Sequence, residues 1–284
     1  MQNKMSLTWH GSYPPEQGPL RITEWVRVVR RGGLVLALLC LCFILFLIVR
    51  VPEWVLFGHK RPVTPWISQG FCRMACFIIG LRFRRWGIVY QGRGVFVANH
   101  VGWLDILVLN ACARFYFVAK SEVRQWGAIG WLARSTGTLF IARTRAQARH
   151  QIAGLSARLQ MNHKMLFFPE GTSTDGHRVL PFHSALFAAI LSKDLPQPQY
   201  VQPISIVYTA PQGADPRFYG WWGNMALSAG VLKGLAAQHQ GTVNVVFHPP
   251  LAVTEYSDRK TLAIAAETHV RREVVWRLGS TAIK

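Results

Sequence analysis

A histidine and an aspartate stand five residues apart in the segment VANHVGWLDI, residues 97–106. In a helix, five steps of about 100° would leave the side chains of His100 and Asp105 roughly 140° apart around the axis. In a strand, an odd offset points two side chains to opposite faces. Only a turn between two elements lets them meet, and Gly102 favours such a turn.

A histidine that hydrogen-bonds to a carboxylate has the chemistry of a general base. The carboxylate fixes the protonated nitrogen of the imidazole and leaves the other nitrogen basic. The sequence contains no G-x-S-x-G nucleophile elbow, so the pair is suited to deprotonating a substrate hydroxyl that then attacks directly. From the spacing alone, a structural His–Asp hydrogen bond at a helix N-terminus is an alternative.

The elements on either side of this segment indicate where the pair lies. Residues 94–100 predict a buried strand, and residues 104–113 predict a helix whose first turn contains Asp105. Further strands are predicted at residues 114–120, 136–143, 164–174, 201–209 and 242–250, and helices at residues 145–161, 184–193 and 259–278. Alternation of continuous apolar strands with helices predicts a layered α/β fold, with a largely parallel sheet flanked by helices.

The N-terminal part of the chain has a different pattern. Residues 34–49 form an unbroken apolar run, flanked by Arg27, Arg30 and Arg31 on one side and by Arg50 on the other. The run is slightly shorter than the roughly 17 residues that the shortest spanning helices need. A full span, a re-entrant helix and a half-inserted helix are therefore all open. No small-residue cleavage site follows the run, which argues against a secretory signal.

A second apolar helix is predicted at residues 65–81, with further arginines directly after it. We interpret residues 21–81 as a membrane-associated helical hairpin whose basic flanks face the cytoplasm and anionic lipid. Residues 1–20, rich in proline, glycine and polar residues, are predicted to be a loosely ordered tail, and residues 82–284 to form the α/β domain. Two buried core helices of a soluble protein are the alternative to the hairpin.

The chain is strongly basic. Its 284 residues include 32 Lys and Arg against 13 Asp and Glu, which gives a formal net charge of +19. Such a charge predicts an anionic partner, meaning nucleic acid, a lipid head-group surface or a phosphorylated substrate. Because no helix-turn-helix, zinc-finger or RRM signature is present, nucleic acid is not an expected partner. The five cysteines form no C-x-x-C pair, which predicts neither disulfides nor a zinc site.

Two further segments carry groups suited to binding a ligand. FFPEGTSTDG ends a predicted strand with Glu170 and Gly171 at a strand-to-loop corner, where open α/β sheets bind ligands. GTLFIARTR ends another strand with Arg143 and Arg145, which are suited to holding an anionic group. Taken singly, Glu170 is equally a helix cap, and the two arginines are equally a solvated helix start.

Together and in this order, four segments resemble the sequence motifs of the glycerolipid acyltransferase family, which contains bacterial lysophosphatidate acyltransferase. The family patterns are N-H-x-x-x-x-D, G-x-[IL]-F-[IV]-x-R, F-P-E-G-T-R and V-x-P-[VI]-x-[IV]. The residues that match them are, in order, Asn99, His100 and Asp105; Gly137, Leu139, Phe140, Ile141 and Arg143; Phe168, Pro169, Glu170, Gly171 and Thr172; and Val201, Pro203, Ile204 and Ile206. The resemblance covers roughly residues 80–210.

The resemblance implies that His100 and Asp105 are the catalytic residues of an O-acyltransferase. His100, oriented by Asp105, would take the proton from a lysolipid hydroxyl, and that oxygen would attack the thioester of acyl-carrier protein or acyl-CoA. Backbone N–H groups near the pair or at the Glu170–Gly171 corner would stabilise the oxyanion. Neither a metal nor an organic cofactor is implied. The resemblance assigns substrate binding to Asn99, Arg143, Arg145, Glu170, Gly171, Thr172, Ser173 and Arg178.

The resemblance also implies a cellular setting. The expected location is a bacterial-type inner (cytoplasmic) membrane, with the catalytic domain facing the cytoplasm. The expected partners are the lipid bilayer, the lysolipid acceptor and the thioester donor, and the expected process is membrane lipid biosynthesis.

Ser173 departs from the lysophosphatidate pattern, which usually has an arginine after the threonine. That arginine is attributed to the acceptor's phosphate, so its absence points away from a phosphate-bearing acceptor. Residues 172–189 and 219–225 instead resemble the branch that acylates lyso-ornithine lipid, although His183 stands where that branch commonly has a lysine. We therefore expect lyso-ornithine lipid as the acceptor.

Two alternatives to this expectation are open. Lysophosphatidate, alone or beside lyso-ornithine lipid, would be the acceptor if Arg143, Arg145 or Arg178 held the phosphate. An inactive relative that serves as a membrane scaffold is the alternative without enzymatic activity. The intact residues of the first and third motifs argue against it.

Overall fold

Two helices precede the sheet in the chain. The first, α1, spans Ile22–Phe57, and the second, α2, spans Thr64–Ile79. The computed structural model describes residues 9–11, 13, 15, 18–141, 145–191, 195 and 199–281, with the backbone alone for residues 145–152 and 280–281.

Helix α1 is much longer than the apolar run inside it. At about 1.5 Å per residue, its 36 residues extend for about 54 Å, against a bilayer hydrocarbon core of about 30 Å. Among the described helices, it alone is long and apolar enough to cross a membrane, judged by length and composition. Its most apolar 18-residue window has a mean hydropathy of 3.1, and only 6% of that window is buried. Most of its apolar surface is therefore not covered by the rest of the chain.

A buried carboxylate joins α1 to α2. Glu53, near the end of α1, accepts hydrogen bonds from the backbone N–H groups of Val63 (2.6 Å) and Thr64 (3.0 Å). It also accepts one from the Thr64 hydroxyl (2.7 Å). These donors lie at the N-terminus of α2, where a helix has unpaired N–H groups and favours a negative charge. Glu53 therefore fixes the turn between the two helices.

The sheet contains eight strands among the described residues, and most of them are parallel. The strands are β1 (Arg82–Trp86), β2 (Gly94–Ala98), β3 (Tyr116–Lys120), β4 (Leu139–Ile141), β5 (Met165–Phe167), β6 (Tyr200–Thr209), β7 (Thr242–Phe247) and β8 (Leu251–Ala252). Their order is β1-β7-β6-β2-β5-β3-β4, and β8 pairs with β6 outside this path. From β6 to β4 all neighbours are parallel, whereas β7 and β8 run antiparallel to β6. The predicted fold class is confirmed.

Helices cover both faces of the sheet. They are α3 (Leu104–Cys112), α5 (Arg145–Gln160), α6 (Leu227–Ala236) and α7 (Arg259–Thr281). Helix α4 (Gly127–Ser135) packs instead against the 3₁₀ turn at Ser121–Gln125. Phe96 and Ala98 of β2 belong to a core that includes residues of α2, α3 and α6. Val95 and Val97 belong to a second core that includes residues of α5 and α7. Because successive side chains of a strand alternate between faces, β2 is buried on both sides and its carboxyl end is held rigidly.

Two of the arginines before the apolar run bind the C-terminal end of α6. Arg31 Nη1 donates hydrogen bonds to the carbonyl oxygens of Leu235 (3.0 Å) and Ala237 (2.6 Å). Arg27 Nε donates to the carbonyl oxygen of Ala236 (2.6 Å). Carbonyls at a helix C-terminus lack partners within the helix, and a cation is favoured there. Arg27 and Arg31 therefore attach α1 to the α/β domain, and the contact of the basic flanks with lipid stays a prediction.

The sequence pattern does not predict β1, α4 or α6. Strand β1, RFRRW, carries three arginines and mostly exposed side chains at the edge of the sheet, so no apolar alternation marks it. The helix predicted at residues 184–193 is also wrong. Its described part contains only a 3₁₀ turn at Leu186–Ala189, in which hydrogen bonds run three residues back.

Candidate active site

The loop between β2 and α3 brings His100 and Asp105 together. His100 Nδ1 lies 2.7 Å from Asp105 Oδ2. The same oxygen accepts hydrogen bonds from the backbone N–H groups of Val101 (2.7 Å) and Gly102 (3.0 Å). Asp105 lies in the first turn of α3, and its side chain is fully buried. The backbone of the turn therefore holds the Asp105 carboxylate in place, and the carboxylate in turn orients the His100 imidazole.

Strand β6 holds the pair from the neighbouring position in the sheet. The Tyr208 hydroxyl donates a hydrogen bond to Asp105 Oδ1 at 2.9 Å. Burial raises the pKa of Tyr208, and the adjacent charge of Asp105 raises it further, so the hydroxyl remains a donor at neutral pH. The sequence motifs do not include Tyr208. A signal exists, because Tyr208 ends the apolar face of β6 that begins with Ile204 and Ile206.

Asn99 also joins β2 to β6. Its Nδ2 donates to the carbonyl oxygen of Ile206 (2.9 Å), and its Oδ1 accepts from the N–H of Ile206 (2.7 Å). The side chain is buried, and both of its polar atoms are used by β6. Asn99 is therefore a positioning residue in this geometry rather than the substrate contact that the motif implied.

The imidazole of His100 is stacked on one face and open at its second nitrogen. Its ring lies 4.0 Å from the ring of Phe168, with an interplanar angle of 14°. The side chain is 19% exposed. Within the described part of the chain, no group hydrogen-bonds to Nε2. Since Nδ1 faces Asp105, Nε2 is the nitrogen that is free to accept a proton.

Glu170 holds the backbone of the histidine in place. Its Oε1 accepts from the N–H of His100, and its Oε2 accepts from the N–H of Leu180, both at 2.7 Å. The side chain is 3% exposed. Burial raises the pKa of Glu170 to about 8, against the opposing effect of the two N–H donors. Glu170 therefore ties the strand-to-loop corner after β5 to the catalytic loop, and it titrates close to neutral pH.

The corner after Glu170 supplies backbone donors. Gly171 adopts a φ of +69°, which favours glycine, and its N–H donates to the carbonyl oxygen of Phe168 (3.1 Å). The N–H groups of Thr172 and Ser173 donate to no group in the part of the chain that the structure describes. Of the backbone donors near the pair, those of His100, Val101 and Gly102 are already used.

Ser173 faces the segment that follows Tyr219. Its side chain is 7% exposed, and its hydroxyl donates to the carbonyl oxygen of Trp221. The N–H of Trp221 in turn donates to the carbonyl oxygens of Val101 (2.9 Å) and Thr174 (3.2 Å). The two segments that suggested the acceptor from sequence, around Ser173 and Trp221, are therefore in direct contact beside the catalytic loop.

Of the three arginines that the resemblance assigns to substrate binding, the structure describes the side chain of Arg178 alone. Arg178 forms two hydrogen bonds to Asp175, at 3.2 and 3.0 Å, and its guanidinium lies 4.6 Å from the centre of the Trp9 ring. It is therefore already paired. Arg143 lies outside the described residues, and Arg145 begins α5 with its side chain outside them. Their roles stay predictions.

The described site combines an imidazole that is able to act as a general base with backbone donors. In the described residues, no group of three or more His, Cys, Asp or Glu side chains is placed to hold a metal ion. An open imidazole nitrogen, a buried carboxylate behind it and free N–H groups nearby are the parts that transfer of an acyl group to a hydroxyl requires.

Comparison with known proteins assigns the chain to a family. The family model described as Acyltransferase matches residues 81–207. Over 263 residues the chain is 48% identical to a lyso-ornithine lipid O-acyltransferase of Rhodobacter capsulatus, covering 93% of this chain and 95% of that protein. The chain belongs to the acyltransferase family. The enzyme class implied by the motif resemblance is thereby confirmed.

Two further proteins show the breadth of this similarity. A lyso-ornithine lipid O-acyltransferase of Brucella abortus is 38% identical to this acyltransferase over 225 residues, covering 75% of this chain and 82% of that protein. The crystal structure of the 1-acyl-sn-glycerophosphate (LPA) acyltransferase PlsC from Thermotoga maritima matches with a TM-score of 0.56 at 22% identity, covering 87% of this chain and 96% of that one. The structural match supports the fold.

Proposed function

We propose that this acyltransferase moves a fatty acyl group from an acyl thioester to the free hydroxyl of lyso-ornithine lipid. The two lyso-ornithine lipid O-acyltransferases described above match most of the chain. The observation that carries the choice of acceptor is the burial of Ser173 against Trp221. An arginine at position 173 would have to displace this packed contact, so we infer that the phosphate-binding arginine of lysophosphatidate enzymes has no counterpart in this place.

The reaction follows from the geometry of the loop. His100 Nε2 accepts the proton of the acceptor hydroxyl while Asp105 stabilises the imidazolium that forms. The oxygen attacks the thioester carbonyl, and the N–H groups of Thr172 and Ser173, which have no partner among the described residues, are the proposed donors to the oxyanion. Collapse of the tetrahedral intermediate breaks the carbon–sulfur bond, and the imidazolium returns its proton to the departing thiolate. The products are the acylated lipid and a free thiol.

The acyl donor is proposed to be acyl-carrier protein or acyl-CoA. Both carry an acyl thioester and both are anionic, which suits a chain with a formal charge of +19. Neither donor requires a metal or organic cofactor from the protein.

The enzyme is further proposed to be bound to a bacterial-type inner membrane, with the α/β domain on the cytoplasmic side. Helix α1 leaves most of its apolar surface uncovered. Helix α4 continues this surface, because Trp131 packs on Phe43 of α1 with ring centres 4.5 Å apart, and Trp126 and Ile129 are exposed beside it. Aromatic side chains at the edge of an apolar surface are typical of a membrane interface.

The test is an acceptor comparison with the full chain in vesicles and a labelled acyl thioester. Lyso-ornithine lipid and lysophosphatidate are offered in parallel, and we expect transfer to the ornithine lipid. His100→Ala should lower the rate by about 10²–10⁴-fold, because the general base is lost. A preference for lysophosphatidate would overturn the proposed acceptor, and full activity in a folded His100→Ala variant would overturn the mechanism.

A further inference from the structure

A small, partly open pocket adjoins the loop that carries His100 and Asp105. It is lined by Trp103 and Leu104, which stand between His100 and Asp105 in the chain, by Phe218 and Trp221, and by Gly230 and Lys233 of α6. Trp221 is the residue whose backbone binds both Ser173 and Val101. The pocket therefore borders both the loop that carries His100 and the segment that contacts Ser173.

Lys233 is a half-buried cation in this pocket and forms no direct ion pair with the described residues. Within the part of the chain that the structure describes, no carboxylate oxygen lies within 4 Å of its Nζ. The nearby carboxylate of Asp215 is paired with Arg217, at 3.0 Å to Nε and 2.8 Å to Nη2. Instead, the Lys233 ammonium lies 4.8 Å from the centre of the Phe218 ring. Burial lowers the pKa of Lys233, which agrees with a charge held partly out of water without a full partner.

A second unused donor lines the same pocket. The indole N–H of Trp103 donates to no group among the described residues. The indole packs on α6, where a Cβ added at Gly230 would lie 3.5 Å from Trp103 Nε1. The pocket thus contains an ammonium without an ion pair and an indole N–H without an acceptor. Both are complementary to the oxygens of an anionic group.

We propose that Lys233 and the indole N–H of Trp103 bind the anionic group of the acceptor's head group. This inference rests on the proposed function, since it takes the acceptor to be a lysolipid with a charged head. Ornithine linked through its α-amide keeps a free α-carboxylate, which such a pocket would hold. The phosphate of lysophosphatidate offers the same kind of oxygen. In either case, the acceptor is anchored by its charge while its hydroxyl reaches His100.

The experiment changes the substrate as well as the protein. Lyso-ornithine lipid is compared with its carboxyl methyl ester, which lacks the negative charge, for the wild-type chain in vesicles. We expect the ester to lower kcat/KM by about 10–100-fold, mainly through KM, as expected for one lost charged hydrogen bond. The Lys233→Met variant should use both acceptors with the low efficiency of the ester. Lys233→Arg should keep the preference, and Lys260→Met, which removes an exposed lysine at the start of α7, should match the wild type.

The outcomes separate the two proposals. If the wild type does not discriminate against the ester, or if Lys233→Met discriminates as strongly as the wild type, the anion pocket is overturned while the proposed function stands. If the wild type acylates lysophosphatidate alone, the proposed acceptor is overturned. In that case the KM for lysophosphatidate is compared between the wild type and Lys233→Met. An unchanged KM would overturn the anion pocket too.

Discussion

The hydroxyl of Tyr208 donates a hydrogen bond to Asp105 Oδ1, at 2.9 Å, on the side of the carboxylate opposite to the histidine. Asp105 Oδ2 is taken up by His100 Nδ1 and by two backbone N–H groups. Tyr208 of β6 therefore orients Asp105, and Asp105 in turn orients the imidazole of His100. Loss of this contact leaves one oxygen of a buried carboxylate without a partner.

Tyr208→Phe is expected to lower kcat by about 10–100-fold and to leave the acceptor KM nearly unchanged. A hydrogen bond to a charged group contributes about 1.5–3 kcal/mol, and 1.4 kcal/mol corresponds to about tenfold in rate. The measurement is steady-state kinetics with varied acceptor. Tyr219→Phe is the matched control, because its ring lies beside that of Tyr208 while its hydroxyl binds Gln240 and Gly241. Equal losses of kcat in both variants would contradict a specific role for Tyr208.

Glu170 predicts a pH dependence of stability. Its pKa in the folded state is about 8, above the ordinary value of 4.5, so the folded state binds this proton more tightly than the unfolded state. The free energy of unfolding should therefore fall as the pH rises from about 4.5 to about 8, by an amount on the order of a few kcal/mol.

Glu170→Gln removes the titrating group and should flatten this dependence. The measurement is the thermal midpoint of unfolding at several pH values between 5 and 8.5, for the wild type and the variant in the same detergent. Parallel curves for the two proteins would show that Glu170 does not titrate in this range.

Ser173→Arg should destabilise the protein and should not create activity on lysophosphatidate. The side chain would have to enter a buried position against Trp221, and overpacking typically costs about 1–3 kcal/mol. Ser173→Ala, which removes a single hydrogen bond, should cost about 1 kcal/mol. Thermal unfolding and the acceptor comparison measure both effects. A stable Ser173→Arg enzyme that gains lysophosphatidate activity would refute the link between this position and the choice of acceptor.

Arg31→Met should loosen α1 from the α/β domain. It leaves the carbonyl oxygens of Leu235 and Ala237 without their donor, at a cost of about 1–3 kcal/mol. Arg30→Met is the matched control, because Arg30 is exposed on the next position of the same helix. A lower thermal midpoint and lower activity in vesicles are expected for Arg31→Met alone. Identical behaviour of the two variants would mean that the contact with α6 does not stabilise the fold.

The turn that joins His100 to Asp105 is predictable from sequence, whereas the contact of Tyr208 with Asp105 is not. His100 and Asp105 meet through a turn of a few residues, and Gly102 and the flanking strand and helix mark that turn. Tyr208 reaches Asp105 only because β6 pairs with β2 in the register that sets Ala98 opposite Ile204. A single sequence does not state which strands pair or in which register.

The same limit applies to the basic residues near the N-terminus. Arginines beside an apolar run have the pattern of a membrane flank, and nothing in the neighbouring sequence marks Arg27 and Arg31 as partners of α6. Their carbonyl partners follow from tertiary packing alone. The sequence pattern does not predict β1 for a related reason. A strand at the edge of a sheet needs little apolar surface, so no apolar alternation marks it.

The pairing of β1 with β7 has a consequence for the order in which the molecule assembles. Strand β1 follows the helix pair directly, yet Arg82 pairs with Thr242, so its hydrogen-bonding partner is synthesised 160 residues later. Helix α1 leaves the ribosome long before that and is ready to meet a bilayer while the sheet is still open. Closing such distant contacts is slow compared with forming helices. The β1 edge of the sheet is therefore completed only after α1 has emerged from the ribosome. A nascent chain that stops before β7 is left with β1 unpaired.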